Sequence, residues 1–284
     1  LAPAEAGSKL DRIVTFVDLP PTLLSLCGLE IPKHFQGEAF LGKQQKEPRE
    51  YAFVFRNRMD ERYDFMRGVR DKRFKYIRNY MPHRPLGQHL NFLWKMPATR
   101  SWEAAYRDGK CNATQSAFWE AKAPEELYDL EKDPWEVNNL AAKPEYKEVL
   151  ERLRAANRAH LLRIRDTGFL QEGEMLARAG ESTIFEMAQD DKRYPIRKIM
   201  DAAELAANRD AESVSKLIEL LKDTDAAARY WGATGCAIRG DSAKDAASAL
   251  QAALKDESAS VRIAAAEALC RMGQAQQGLP VLIE

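Results

Sequence analysis

An α+β region followed by an all-α solenoid is the fold class that this 284-residue sequence predicts. Three observations carry it. Four short β-rich runs, separated by turn residues, lie between residues 51 and 131. A helix with apolar positions at 3.6-residue spacing follows them. From residue 215 the chain repeats itself at a constant offset of 33 residues, and a period of that size with paired helices is the signature of a solenoid.

The first segment reads IVTFVDLPPTLLSLCG from Ile13. Asp18, or else Thr22, is placed to cap a helix start, with Pro20 or Pro21 in the first turn and Gly28 as the stop. Leu23, Leu24, Leu26 and Cys27 predict that this short helix is mostly buried. LEIPKHFQGEAF follows as a loop punctuated by Pro32 and Gly37. The runs YAFVFRN (51–57), DFMRGVRD (64–71) and FKYIRNY (74–80) read as strands. Asp71-Lys72-Arg73 is short enough to make the second and third a hairpin. ELYDLE supplies the fourth strand, ended by Asp133-Pro134.

Within EELYDLEKDPWEVNNLA (125–141) the concentration of acidic residues invites a catalytic reading. The local signals instead predict a structural closure. Leu127 and Leu130 turn toward the core, Asp133, Asn138 and Asn139 bond back to the backbone, and Trp135 covers the sheet edge. A helix then starts near Pro144, with apolar or aromatic residues at 146, 149, 150, 153, 161 and 164, and stops at Gly168.

In the repeats, Leu217, Leu221, Lys222, Asp223, Ala226, Arg229, Ala233 and Gly240 recur as Leu250, Leu254, Lys255, Asp256, Ala259, Arg262, Ala266 and Gly273. Each unit is an apolar helix, a Lys-Asp turn, an Arg near the start of an Ala-rich helix and a Gly stop. These units resemble the HEAT-like family. Residues 199–206 read as the tail of an earlier unit and 279–283 as the start of another.

Formal net charge is zero, from 43 basic and 43 acidic residues. Residues 197–284 hold 11 basic and 13 acidic residues, so no part carries the basic footprint of a nucleic-acid binder. No apolar run is long enough to span a bilayer as a helix. The four cysteines have neither CxxC spacing nor a disulfide-framework pattern, and Asn112-Ala-Thr114 reads as an ordinary loop triplet. Polar LAPAEAGSKLDR at the start and apolar LPVLIE at the close both read as cuts through a longer protein.

FVDLPPTLLSLCG, IPKHFQG, MRGVRDKRFKYIRNY and ELYDLEKDPWEVNNLA occur here in one order. In that order they resemble the C-terminal part of a type I sulfatase of the alkaline-phosphatase-like superfamily, in the heparan N-sulfatase-like and arylsulfatase-like branches. The resemblance implies four segments: the end of the catalytic domain (1–48), its small α+β subdomain (49–168), a linker or helical extension (169–196) and truncated HEAT-like repeats (197–284). It also implies a formylglycine made from the cysteine of a Cys-x-Pro-Ser-Arg motif and a calcium ion that polarises sulfate oxygens. No cysteine here has proline two positions on. Formylglycine and calcium are therefore expected in a parent protein and neither in this chain, which alone is expected to be inactive. A periplasmic or secreted location is a family expectation.

Two segments carry the candidate substrate-binding residues. In RNRMDERYD (56–64), Arg58 and Arg62 suit a sulfated or carboxylated sugar, and Asp60 and Glu61 can accept from sugar hydroxyls. The plainer alternative is a solvated turn of alternating charge. In the long connection from Met81 to Pro124, His83, Arg84, His89, Arg100 and Trp102 offer cations and a flat face, as functional loops of that length often do. Here the alternative is aromatic anchoring on the sheet.

The expected function is that of a sulfatase fragment acting with the rest of its parent on a sulfated carbohydrate. One rival is a protein-binding module that uses the repeats. Another is a phosphodiesterase or phosphonate hydrolase of the same superfamily.

Overall fold

The computed structural model describes Gly7, Lys9 and residues 11–283. The other residues that the sequence reading placed at the two ends lie outside the described set. The chain divides into two compact units. One holds residues up to Val54 with Gly68–Tyr76 and Leu127–Leu153; the other holds Phe55–Arg67, Ile77–Glu126 and the residues from Arg154 on.

The first unit opens with α1 (Leu19–Leu26). Asp18 sits at the N-cap position, but its carboxylate makes no capping bond to α1. Instead it accepts from the Thr15 and Glu38 amides at 2.8 and 2.9 Å and pairs with Arg49 at 2.5 Å. The helix is also not mostly buried, contrary to the reading from its leucines. Pro21, Thr22 and Ser25 are buried, while Leu23 is 63% exposed. The cause is the segment after it, which lies along the polar face. The Phe40 amide donates to Thr22 Oγ1 at 3.0 Å and the Gln44 amide to Ser25 Oγ at 2.9 Å. That approach requires Gly37, where a Cβ would stand 1.8 Å from the Val17 carbonyl oxygen.

The strands β1 (Ala52–Arg56), β2 (Met66–Arg70), β3 (Phe74–Asn79) and β4 (Glu125–Asp129) form one sheet in that order. Pairing of Asp71 with Phe74 and of Tyr80 with Phe65 fixes the β2–β3 hairpin. Pairing of Leu130 with Arg73 and of Asn79 with Pro124 sets β4 antiparallel to β3. The sheet residues of the first unit bury Val69, Tyr76 and Leu127 with Leu140, Leu150 and Leu153.

The stretch 125–141 is a structural closure. Asp129 pairs with Arg73 at 2.7 Å and Glu136 with Lys75 at 2.8 Å. Asn139 Oδ1 accepts from the amides of Leu127 and Ala141, and Asp133 accepts from that of Asn138. Two details differ from the sequence reading. Leu130 lies in the turn just past β4 and is half-buried. Trp135 is 85% exposed and covers no edge, because the chain turns at Asp133 and carries the ring outward.

Between β3 and β4 the long connection holds three short helices, α2 (Asn91–Trp94), α3 (Pro97–Arg107) and α4 (Ala113–Ser116). Asn112 of the sequon caps α4, accepting from the Gln115 amide at 2.9 Å. After β4 comes α5 (Lys147–Ile164). It ends at Arg165, which takes a left-handed φ of 53°, rather than at Gly168. Gly168 serves a different need: a Cβ there would meet Arg67 Nη2 at 2.2 Å, beside the buried Arg67–Asp166 pair.

The remaining helices are α6 (Glu172–Ala179), α7 (Ile184–Ala188), α8 (Ile196–Ala207), α9 (Val214–Leu220), α10 (Ala226–Arg239), α11 (Ala247–Ala253), α12 (Ala259–Arg271) and α13 (Ala275–Ile283). α9 and α11 start 33 residues apart, and so do α10 and α12, matching the sequence offset. Gly240 and Gly273 end the second helices at φ 53° and 78°, values that glycine adopts without a steric penalty. Arg229 Nη1 bonds the carbonyls of Asp223 and Thr224, and Arg262 Nη1 does the same to those of Asp256 and Glu257. Arg229 also grips Asp256 of the following unit through Nε and Nη2. α10 packs between α8 and α12, and Trp231, Leu217, Leu250 and Leu269 lie in one apolar core with Phe65, Tyr80 and Met81.

Candidate functional site

Both segments that carry the candidate residues lie in the second unit. The first is a tight turn. Met59 and Arg62 exchange backbone hydrogen bonds of 2.8 and 3.0 Å, which leaves Asp60 and Glu61 at the tip, Asp60 with a left-handed φ of 50°. Arg58 donates to the Asp60 carbonyl and pairs with Glu172 at 2.6 Å. Both partners of that pair are more than half exposed, so it adds little stability. Glu61 accepts from the Asn91 amide at 2.5 Å, and this bond holds its carboxyl below the usual glutamate range. The turn and the start of α2 are thereby tied together, with His89 close enough to add to the effect. Arg62 Nε is buried without a hydrogen-bond partner among the described residues, as are Gln88 Nε2 and Trp119 Nε1.

The second segment is organised by aromatic rings. Trp102 stacks on Phe118 at 4.7 Å and meets Trp119 edge-on at 5.4 Å, and Trp94 meets Trp119 at 5.9 Å. Trp94 Nε1 donates to Glu103 and Trp102 Nε1 to the Gln115 carbonyl. Trp102 keeps 37% of its surface exposed, and Arg100, two residues earlier on α3, is exposed. His89 lies with its ring 4.8 Å from that of Trp94. Offset and edge-on ring pairs of this kind stabilise beyond their buried area, and here they give shape to a connection that lacks strands.

His83 and Arg84 sit elsewhere. His83 is only 8% exposed, and its Nε2 lies 3.4 Å from Glu267 Oε1, a contact too long for a strong hydrogen bond. Arg84 Nη2 reaches the other Glu267 oxygen at 2.9 Å, and its guanidinium stands 5.5 Å from the Tyr63 ring. Burial pushes the His83 pKa down against the pull of Glu267. Burial would raise Glu267, but the His83 contact and the Arg84 and Arg271 charges outweigh it and hold its pKa at about 2.

The candidates thus fall into three groupings: Arg58, Asp60, Glu61 and Arg62 with His89; Arg100 and Trp102 on α3; and His83 with Arg84 against α12. Sequence reasoning passed over Glu267, whose signal was a lone carboxylate in the Ala-rich stretch RIAAAEALC. It also missed Lys122 and Asp64, which form a 2.6 Å ion pair with side chains only 4% and 0% exposed. Burial lowers the Lys122 pKa, and Asp64 opposes the shift. Among the described residues no three His, Cys, Asp or Glu side chains are grouped so as to hold a metal ion.

Comparison with known proteins bears on both halves of the chain. A family model described as HEAT repeats matches residues 182–270. An ulvan-active sulfatase of Formosa agariphila is 38% identical over 173 residues, covering 61% of this chain and 29% of the relative. A second ulvan-active sulfatase of that organism is 32% identical over 52% of this chain and 28% of its own length. Human N-sulphoglucosamine sulphohydrolase is 26% identical over 54% of this chain and 33% of its own. The chain therefore spans a third or less of these curated relatives. A solved structure described as a complex with its substrate D-glucosamine-2-N,6-O-disulfate aligns with a TM-score of 0.34 and 21% identity, over 53% of this chain and 24% of that one; so low a score carries no argument. The resemblance read from the sequence is matched by relatives named as sulfatases across part of the chain, and the 33-residue repeat by a HEAT-repeat model.

Proposed function

We propose that this chain is the C-terminal portion of a sulfatase that hydrolyses sulfate esters or N-sulfates of a sulfated carbohydrate. The observation that carries the reading is 38% identity to an ulvan-active sulfatase over 61% of the chain. In this proposal residues 1–48 end an alkaline-phosphatase-like catalytic domain and 49–168 form its small α+β subdomain. Residues 169–196 are a helical extension, and 197–284 are a HEAT-like solenoid. The formylglycine and the calcium ion belong to the parent outside this chain, which has no sulfatase activity alone. Phe16, Val17, Leu19, Leu23 and Leu29 are between 48% and 89% exposed, and an apolar patch of that kind suits contact with another domain.

Substrate contacts from this chain fall to Arg58, Asp60, Glu61, Arg62, His89, Arg100 and Trp102. Guanidinium N–H groups donate to sulfate oxygens, carboxylates accept from sugar hydroxyls, and the exposed face of Trp102 takes a sugar ring. His83 and Arg84, engaged by Glu267, hold the connection in place.

The test is an assay of the full-length parent on a sulfated oligosaccharide, an aryl sulfate and the corresponding phosphate mono- and diesters. Release of sulfate is expected. Release of phosphate without sulfate would move the assignment to the phosphodiesterase or phosphonate-hydrolase reading. No hydrolysis of either, with a protein partner retained by the full chain, would leave a binding module.

A further inference from the structure

The root of the long connection is held by the helical repeats. Tyr80 and Met81 are each 1% exposed and share an apolar core with Leu217, Trp231 and Leu269. The Trp231 ring lies 6.3 Å from that of Tyr80, and its Nε1 donates to the Phe169 carbonyl at 2.9 Å. Polar contacts continue where the core stops. Arg78, at the end of β3, donates to the Glu204 carbonyl and Asn208 Oδ1 at 2.9 and 2.8 Å. Arg209 donates to the Pro82 carbonyl at 3.2 Å. The next two side chains, His83 and Arg84, both turn onto Glu267.

Glu267 is the focus of this arrangement. It faces three basic groups, of which only Arg271, at 3.1 Å, belongs to its own helix. Its side chain is 26% exposed and is spent on the chain's own connection. Removing it would take the 2.9 Å partner from Arg84 Nη2 and the facing carboxylate from His83, in a buried site where His83 Nδ1 and Nε2 and Arg84 Nε already lack a hydrogen-bond partner among the described residues, and uncompensated buried polar groups relax by local opening.

We propose that the repeats act as an internal brace for the connection that carries the candidate substrate contacts, with Glu267 as the positioning residue that sets where residues 82–96 stand. The brace passes from α12 through Arg84 to Tyr63 and the 57–65 link, where the guanidinium lies over the Tyr63 ring. It passes along the connection to the Arg84, Gly87, Asn91 and Trp94 amides, whose hydrogen bonds go to Met81, Phe118, Glu61 and Leu90. The activity arm of the test rests on the sulfatase reading; the exchange arm does not.

The experiment is amide hydrogen exchange on the full 284-residue chain, comparing wild type with Glu267→Gln and Glu267→Ala. Exchange in residues 82–96 should quicken by about tenfold in Glu267→Ala and by less in Glu267→Gln, which keeps an acceptor for Arg84, while residues 214–239 stay protected. Unchanged exchange in 82–96 overturns the proposal. So does uniform acceleration through 196–283, which would make Glu267 a stabiliser of the repeats alone. Should Glu267→Ala fail to fold, Arg84→Gln removes the connection's side of the same contact, and its exchange in 82–96 decides between the same outcomes.

In the full-length parent, Glu267→Gln should raise KM for a sulfated oligosaccharide about tenfold with kcat nearly unchanged, the pattern of lost binding rather than lost chemistry. A fall in kcat at constant KM counts against the brace. A parent with no sulfatase activity overturns the proposed function and leaves the exchange result standing.

Discussion

Lys122 shows how a single residue in this chain commits to structure. Its ammonium and the Asp64 carboxylate lie 2.6 Å apart with almost no exposure, and Arg56 Nε stands 3.9 Å from the same carboxylate. Desolvating both charges costs several kcal/mol, so the pair adds little net stability, but losing one partner leaves the other buried and uncompensated. Lys122→Ala should therefore destabilise the chain by about 3–5 kcal/mol in a urea titration. The double variant Asp64→Asn with Lys122→Met should recover part of that loss, since neither side chain then carries a charge into the buried site. Equal damage from the single and double variants would show that volume, not charge, sets the cost. Neither residue was legible in the sequence, where a lysine in a loop and an aspartate before a strand look solvated. Fifty-eight positions separate them, and nothing local announces the pairing.

The repeats are the clearest case at the scale of elements. Their helices recur at the sequence offset because each unit carries the same caps, stops and apolar stripe, all of them local signals. The small residues of α10 follow from the packing. At Gly235 an added Cβ would lie 2.5 Å from Leu217 Cδ2 and 3.0 Å from Ala206 Cα. Gly235→Ala gains helix propensity of about 1 kcal/mol but must displace the α8 backbone or Leu217. Overpacking of that kind costs about 1–3 kcal/mol, so a net loss in thermal stability is expected. A rise in Tm would mean that α8 and α9 yield without strain. In α1 the same style of reading misjudged the outcome. Leucine spacing pointed to a buried apolar face, yet the segment carrying Gly37, Phe40 and Gln44 hydrogen-bonds along the Thr22–Ser25 face and leaves Leu23 outside. Periodicity identifies a helix, but which face is covered depends on where the following loop runs.

For the whole molecule, the buried charges around Glu267 make stability depend on pH in a stated direction. Glu267 titrates at about 2 in the fold against an ordinary 4.5. Its contribution is therefore complete above about 4.5 and is lost as pH falls toward 2. His83 is depressed from an ordinary 6.5. Below that value the unfolded chain takes up the proton more readily than the folded one, so stability is lost as pH falls through that window as well. Asp71, Asp225 and Asp256, all held low by arginine pairing that outweighs their burial, act in the same sense as Glu267. Thermal melts should shift downward from pH 7 to pH 4, and His83→Gln should flatten the part of that curve just below the ordinary histidine value. An unaltered slope would show that His83 is not the group titrating there. Among the described residues no helix is long and apolar enough to cross a membrane.

The sequence by itself determined the β-rich runs, the β2–β3 hairpin, the 33-residue helical repeat and the closure after β4. All of these rest on turn chemistry and side-chain periodicity within a few residues of chain. It also pointed to the likeness to sulfatases, since four short stretches in one order are a linear signal. Only the tertiary structure decided which candidates stand together. Glu61 joins the turn to α2, Trp102 settles on Phe118, and Arg84 finds Glu267 at a separation of 183 residues. A charged side chain buried by a distant helix leaves no local trace, because the energy that places it comes from the partner and from the water both have lost.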